Sequence, residues 1–191
     1  MPDMTPPPTV GAVQESSDVE FLIDALQIDD LEVRRAAERR LGVLGEGAVR
    51  SLIDALRQER DSDIRWYMAR AIARNGDASV GPLIELLRTE KDPSVKKYAT
   101  AALGGIGRAA VQPLIDALGT DDREFRRYAS TALCTIGDAA VEPLVQALKA
   151  SDPIVARMAE LTLMRIEASG IEALADEYGV RYRPGEGPDQ K

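Results

Sequence analysis

Aspartate recurs at Asp30, Asp61, Asp92, Asp122 and Asp152, at intervals of 31, 31, 30 and 30 residues. Self-similarity at such a period restricts a chain to repeat architectures, in which one supersecondary unit stacks on copies of itself. The stretch from Asp92 to Leu118, DPSVKKYATAALGGIGRAAVQPLIDAL, shows the unit most fully. Asp92 suits a helix N-cap, because its carboxylate can accept a bond from a free backbone N–H. Pro93 suits the first helical position, where a missing donor is not felt. Val95, Ala99, Leu103 and Ile106 follow at spacings of four, four and three, one apolar stripe on a helix. Gly107 predicts a left-handed cap after that helix. Val111, Leu114, Ile115 and Leu118 form a second apolar set, with Pro113 expected in the first turn of the second helix. The unit is two short antiparallel helices, and neither can bury its stripe without neighbouring copies.

The other columns keep the same register. The first core position reads Val33, Ile64, Val95, Phe125, Val155, and the interhelical glycine reads Gly45, Gly76, Gly107, Gly137, broken at Glu167. The second-helix proline reads Pro82, Pro113, Pro143, and the second-helix leucine reads Leu26, Leu56, Leu87, Leu118, Leu148. Val19 to Leu26 matches only a second helix and is expected to be an N-terminal half-repeat acting as a cap. Residues 1–18, with their TPPP run, read as a disordered Pro-rich tail; residues 19–179 read as the repeat array; residues 180–191 read as a disordered polar tail. The predicted fold is all-α, an α-solenoid of about five hairpins plus the half-repeat.

Composition narrows the chemistry. A net charge of −8 disfavours non-specific binding to nucleic acid or anionic membrane. No run of about eighteen apolar residues predicts a membrane span, and the N-terminus lacks the basic-then-apolar order of a secretory signal. Cys134 is the only cysteine, so no intramolecular disulfide forms, and a cytoplasmic location is expected. There is no histidine, which removes His-based acid–base catalysis, Ser-His and Cys-His nucleophiles, and His metal sites. No catalytic constellation, metal site or cofactor site is recognisable.

The unit D-x-x-V-R-x-x-A-x-x-A-L-x-x-I-G-x-x-A-V-x-P-L-I-x-A-L resembles the PBS-lyase HEAT-like repeats, over residues 19 to about 178. The resemblance implies a right-handed solenoid whose second helices line a concave face, with an Asp–Arg ladder between repeats. Members include phycobilin lyase subunits and deoxyhypusine hydroxylases. The hydroxylases use His-Glu pairs at iron, so that activity does not carry over to a chain without histidine.

Function is then sought in the exposed columns, because solenoids bind along a face. One basic column on the first helices reads Arg34, Arg65, Lys96, Arg126; the next reads Arg35, Trp66, Lys97, Arg127, Arg157. The first lies at the stripe's edge, within reach of a neighbouring repeat's Asp or a helix C-terminal carbonyl. Beside them stand Tyr67, Tyr98 and Tyr128, either covering repeat junctions or forming a stacking platform. On the second helices an acidic column reads Asp24, Asp54, Glu85, Asp116, Gln146, Asp176, and a last-turn column reads Gln27, Arg57, Arg88, Gly119, Lys149, Gly179. Acid early and base late complements the helix dipole, yet that does not require acid in the same column throughout. Trp66 is expected to face solvent, and exposed Trp is often interfacial.

Three functions follow. The first is a non-enzymatic scaffold binding a protein or basic peptide through Asp24, Asp54, Glu85, Asp116 and Asp176, with Trp66 as an anchor. The second is nucleic-acid binding through Arg35, Lys97, Arg127, Tyr67, Tyr98 and Tyr128, which the net charge opposes. The third is an accessory subunit of a tetrapyrrole lyase or a redox enzyme. The expected partner is another protein or basic peptide, with no membrane.

Overall fold

The computed structural model describes residues 8–166, together with 170, 171, 173, 174, 177 and 178. They are helical, with no strand among them. Two compact units divide at Ile106 and Gly107.

The first unit holds α1 (Val10–Glu15), α2 (Val19–Ala25), α3 (Leu31–Leu41), α4 (Glu46–Gln58), α5 (Ser62–Arg74), α6 (Asp77–Thr89) and α7 (Pro93–Ile106). Its first helices pack in the order α1, α3, α5, α7, and its second helices in the order α2, α4, α6. The second unit holds α8 (Arg108–Leu118), α9 (Arg123–Ile136), α10 (Asp138–Ala147) and α11 (Pro153–Leu163). There α8 packs on α10 and α9 on α11. Two layers of stacked helical pairs make this an α-solenoid fold.

The aspartate period is a period of N-caps. Asp30, Asp61 and Asp122 each accept the backbone N–H groups two and three residues on, at 2.8–3.2 Å. Asp92 accepts from Ser94 and Asp152 from Ile154, both at 2.8 Å. These bonds satisfy donors that a helix start leaves open, and each capping aspartate is worth about 1 kcal/mol. The apolar stripes face inward: Leu41, Leu52, Ile72, Leu83 and Leu103 are fully buried in the first unit, as are Leu114, Leu133 and Leu144 in the second.

Three local features differ from the sequence-based expectation. Residues 10–15, expected within a disordered tail, form α1. Thr9 caps it through Oγ1, Val13 is fully buried, and Arg40 donates to the Ser16 carbonyl at 2.6 Å and to Ser17 Oγ at 2.8 Å. The N-terminal half-repeat therefore has a short first helix, which α3 holds from the side.

Pro82, Pro113 and Pro143 lie inside their helices, sixth from the start, and not in the first turn. The second helices begin directly after Gly76, Gly107 and Gly137, with tight first-turn bonds from Ser79, Ala110 and Ala140 back to those glycines. Each proline removes the donor for a carbonyl four residues earlier, at Ala78, Ala109 and Ala139. All three alanines are exposed, so water can take the carbonyl and the cost is small.

The interhelical glycines do have positive φ, at 78°, 59°, 76° and 70° for Gly45, Gly76, Gly107 and Gly137. Their ψ values, −158°, −132°, −133° and −134°, place them outside the left-handed helical region, in one that is essentially glycine's alone.

Candidate functional site: the charged helix faces

The first basic column is consumed by the fold. Arg65 is 4% exposed. Its Nε donates to the Glu59 carbonyl at 2.8 Å, its Nη1 to Ser94 Oγ at 2.6 Å, and its Nη2 lies 3.8 Å from Asp92. In the second unit Arg126 makes the equivalent bond to the Thr120 carbonyl. The backbone N–H groups of Ile64 and Asp63 hold the Asp61 carboxyl below its usual range, and the charge of Arg34 adds to this. In the first unit the stripe-edge arginines thus run to the loop ahead of their own helix and to the next repeat's cap. Lys96 is buried as well.

The tyrosines are engaged in the same way. Tyr98 donates its hydroxyl to the Ser62 carbonyl at 3.2 Å. Arg65 lies 5.8 Å and Lys97 6.0 Å from its ring centroid. Arg127 covers Tyr128 at 4.7 Å, and Tyr128 itself is buried. Tyr67 is half-buried. Rings whose faces meet the protein's own cations are poor platforms for incoming bases. Arg35 is exposed and paired with Glu32 at 3.1 Å, and Arg127 lies 3.8 Å from Glu124. Trp66 is 49% exposed, as its column predicts.

The second helices present a different surface. Asp24, Asp54, Glu85 and Asp116 are all exposed, and Asp176 lies outside the described residues. Within the first unit Asp54 pairs with Arg57 at 2.9 Å, and Glu85 with Arg88 at 2.7 Å. Asp24 has no ion-pair partner among the described residues. In the second unit, among the described residues, Asp116 accepts only a neutral bond, from Gln112 Nε2 at 2.9 Å. Asp116 borders a groove of about 310 Å³ whose walls include Gln112, Ile115, Pro143, Gln146 and Ala147.

Three further clusters carry no single-position signal in the sequence. Glu38 is 2% exposed inside α3 and meets Arg74 Nε at 2.7 Å and Arg70 at 3.5 Å. Asn75 stands where the repeat elsewhere has Ile106 or Ile136. Its amide donates to the carbonyls of Leu41 and Ala71 at 3.0 and 2.8 Å, and its oxygen accepts from Gly45 N–H at 2.7 Å. Glu59 and Glu90 fold back on the turns that follow α4 and α6. Glu59 accepts from the backbone of Arg60 and Asp61 and from Gln27. Glu90 accepts from the backbone of Lys91 and Asp92 and from Arg57. Their spacing of 31 residues, in register with the aspartates, was a signal that could have found them.

Burial raises the Cys134 thiol's pKa, against a weaker pull from Arg165. A raised thiol is a poor nucleophile. Among the described residues no three carboxylates or thiols group to hold a metal, and no helix is long and apolar enough to cross a membrane.

The family described as HEAT repeats matches residues 49–131 and 111–176. No curated protein matches the chain. Among solved structures, a crystal structure of an engineered protein is 27% identical, over 86% of this chain and 86% of that one, with a TM-score of 0.32. A designed armadillo repeat protein in complex with the peptide (KR)4 is 19% identical, over 85% of this chain and 88% of its own, with a TM-score of 0.31. A computationally designed armadillo repeat protein for modular peptide recognition is 20% identical, over 85% and 87%, again with a TM-score of 0.31. Matched across most of its length and built from capped helical pairs in a constant register, the chain belongs to the HEAT repeat family.

Proposed function

We propose that this protein is a non-enzymatic interaction scaffold whose second helices receive a basic segment of a protein partner. One contrast carries the reading. The stripe-edge column of the first helices is tied into loops and caps, whereas the acidic column of the second helices is exposed and has no structural duty in the core. Exposed carboxylates repeated at one register favour a partner of opposite charge, steering its approach and setting its alignment. Asp24, Asp54 and Glu85 supply this in the first unit, Asp116 supplies it in the second, and Asp176 extends the column. Trp66 offers apolar area on the first-helix side.

The test is a panel of immobilised basic, neutral and acidic peptides bound by the full chain at rising salt. Basic peptides should bind best, weaken with salt, and weaken again with Asp54→Lys and Asp116→Lys. Binding that ignores both salt and the two reversals would remove the proposal. An oligonucleotide in the same assay tests the other face. Capture that falls with Lys97→Glu and Arg127→Glu but survives Asp54→Lys would replace the acidic-face reading.

A further inference from the structure

We infer that the groove between α8 and α10 seats a single arginine side chain of the partner, an inference that rests on the proposed binding of a basic segment. On α4 and α6 the exposed acid is answered three residues later by an arginine of the same helix, Asp54 by Arg57 and Glu85 by Arg88. Three residues after Asp116 stands Gly119.

The fold gives a reason for that glycine. A Cβ at Gly119 would lie 3.0 Å from Val155 Cγ2 and 3.4 Å from Asp152 Oδ2, so a side chain there would press on Val155 of α11, which would have to give way by a few tenths of an ångström. The basic residue at the same register just after α10, Lys149, is turned to Glu177 at 3.1 Å. Asp116 is left with one oxygen bonded to Gln112 and, among the described residues, no cation of its own, at the edge of a groove.

The groove's chemistry fits an arginine. Ile115, Pro143 and Ala147 offer apolar area for a methylene stem, while Asp116 and Gln146 offer carboxylate and amide oxygens. A guanidinium carries five donors in a planar fork and can meet both oxygens together; a lysine brings a compact point charge. A volume of about 310 Å³ suits one long side chain and not a folded domain.

The experiment is fluorescence anisotropy of the full chain with labelled, end-blocked nonapeptides of serine and arginine, serine and lysine, or serine and glutamate. The arginine peptide should bind at least tenfold tighter than the lysine peptide, and the glutamate peptide should not bind. Asp116→Asn should weaken arginine binding at least tenfold. Ala147→Trp, which fills the groove without changing charge, should do the same, with unchanged helical circular dichroism in both variants. Equal binding of the arginine and lysine peptides would overturn the arginine seat. Arginine binding that survives both variants but falls with Asp24→Lys or Asp54→Lys would overturn the groove and leave the acidic-face reading standing. No binding of either basic peptide would overturn both.

Discussion

Arg65 stands behind the N-cap Asp92, with Nη2 3.8 Å from Oδ2, while its Nε holds the Glu59 carbonyl at 2.8 Å. One buried guanidinium thus ties the end of α4 to the start of α7, across the first helix between them. Removing one partner of a buried charged network leaves the others without compensation. Arg65→Ala is therefore expected to cost about 3 kcal/mol. Arg65→Lys should recover part of that, since an ammonium reaches one acceptor and not three. Urea denaturation of both variants provides the check, and an unchanged Arg65→Ala midpoint would contradict this role.

Asn75 does the work of three separate turn bonds with one amide. Asn75→Ala strands the Gly45 N–H and takes one of two bonds from the Leu41 carbonyl, which keeps the longer one from Leu44 N–H at 3.4 Å. A loss of about 2 kcal/mol is expected, from the half-buried Gly45 N–H left unbonded and the weakened bonding of the Leu41 carbonyl. Asn75→Asp should be worse than neutral too, because it removes both donors and keeps only the acceptor. Thermal melts of the two variants decide the matter. Loss of protection at Gly45 in hydrogen exchange would localise the effect.

Gly76 and Gly81 should respond to alanine in opposite directions. Gly76 sits at φ 59°, where a side chain is strained whatever the space, so Gly76→Ala should destabilise by about 1–3 kcal/mol. Gly81 lies inside α6 with open space around a would-be Cβ. Gly81→Ala should stabilise by up to about 1 kcal/mol through helix propensity. Equal effects on the melting temperature would mean that backbone geometry does not control the corner.

Acid should loosen the turns after α4 and α6. For Glu59, burial pushes the carboxyl up, but bonds from Gln27 and from the N–H groups of Asp61 and Arg60 outweigh it and leave it below the ordinary 4.5. For Glu90, the Asp92 N–H leads in lowering it, burial opposes, and Lys91 N–H and Arg57 assist. A folded-state value below the unfolded one gives stability that is present above the unfolded value. That stability is lost as pH falls through the folded one. The melting temperature should therefore decline as pH drops below about 4.5, the ordinary glutamate value. It should decline less steeply in Glu59→Gln with Glu90→Gln. Parallel curves for the double variant and the parent would show that these carboxylates carry none of the acid sensitivity.

The frame was legible residue by residue. Asp30 through Asp152 are caps, Gly45 through Gly137 are corners, and Leu103 and its equivalents are core, because capping and helical periodicity depend on neighbours only a few positions away. Two features are not legible in this way. Pro113 lies a turn later in its helix than its residue type suggests, because the start of α8 is set by the Gly107 corner and not by the proline. Helix α1 was hidden by the prolines before it, since what stabilises it is the burial of Val13 and the distant Arg40.

The sequence alone determined the repeat, its length and the inward faces, since each copy restates the same local preferences. Only the tertiary structure decided which charges remain for a partner. Asp54, Glu85 and Asp116 share one column and read alike, yet Arg57 and Arg88 answer the first two while Val155 crowds Gly119 beside the third. The two answering arginines lie three residues on in the same helix, but the atoms that crowd the position beside Asp116 arrive from α11, far along the chain.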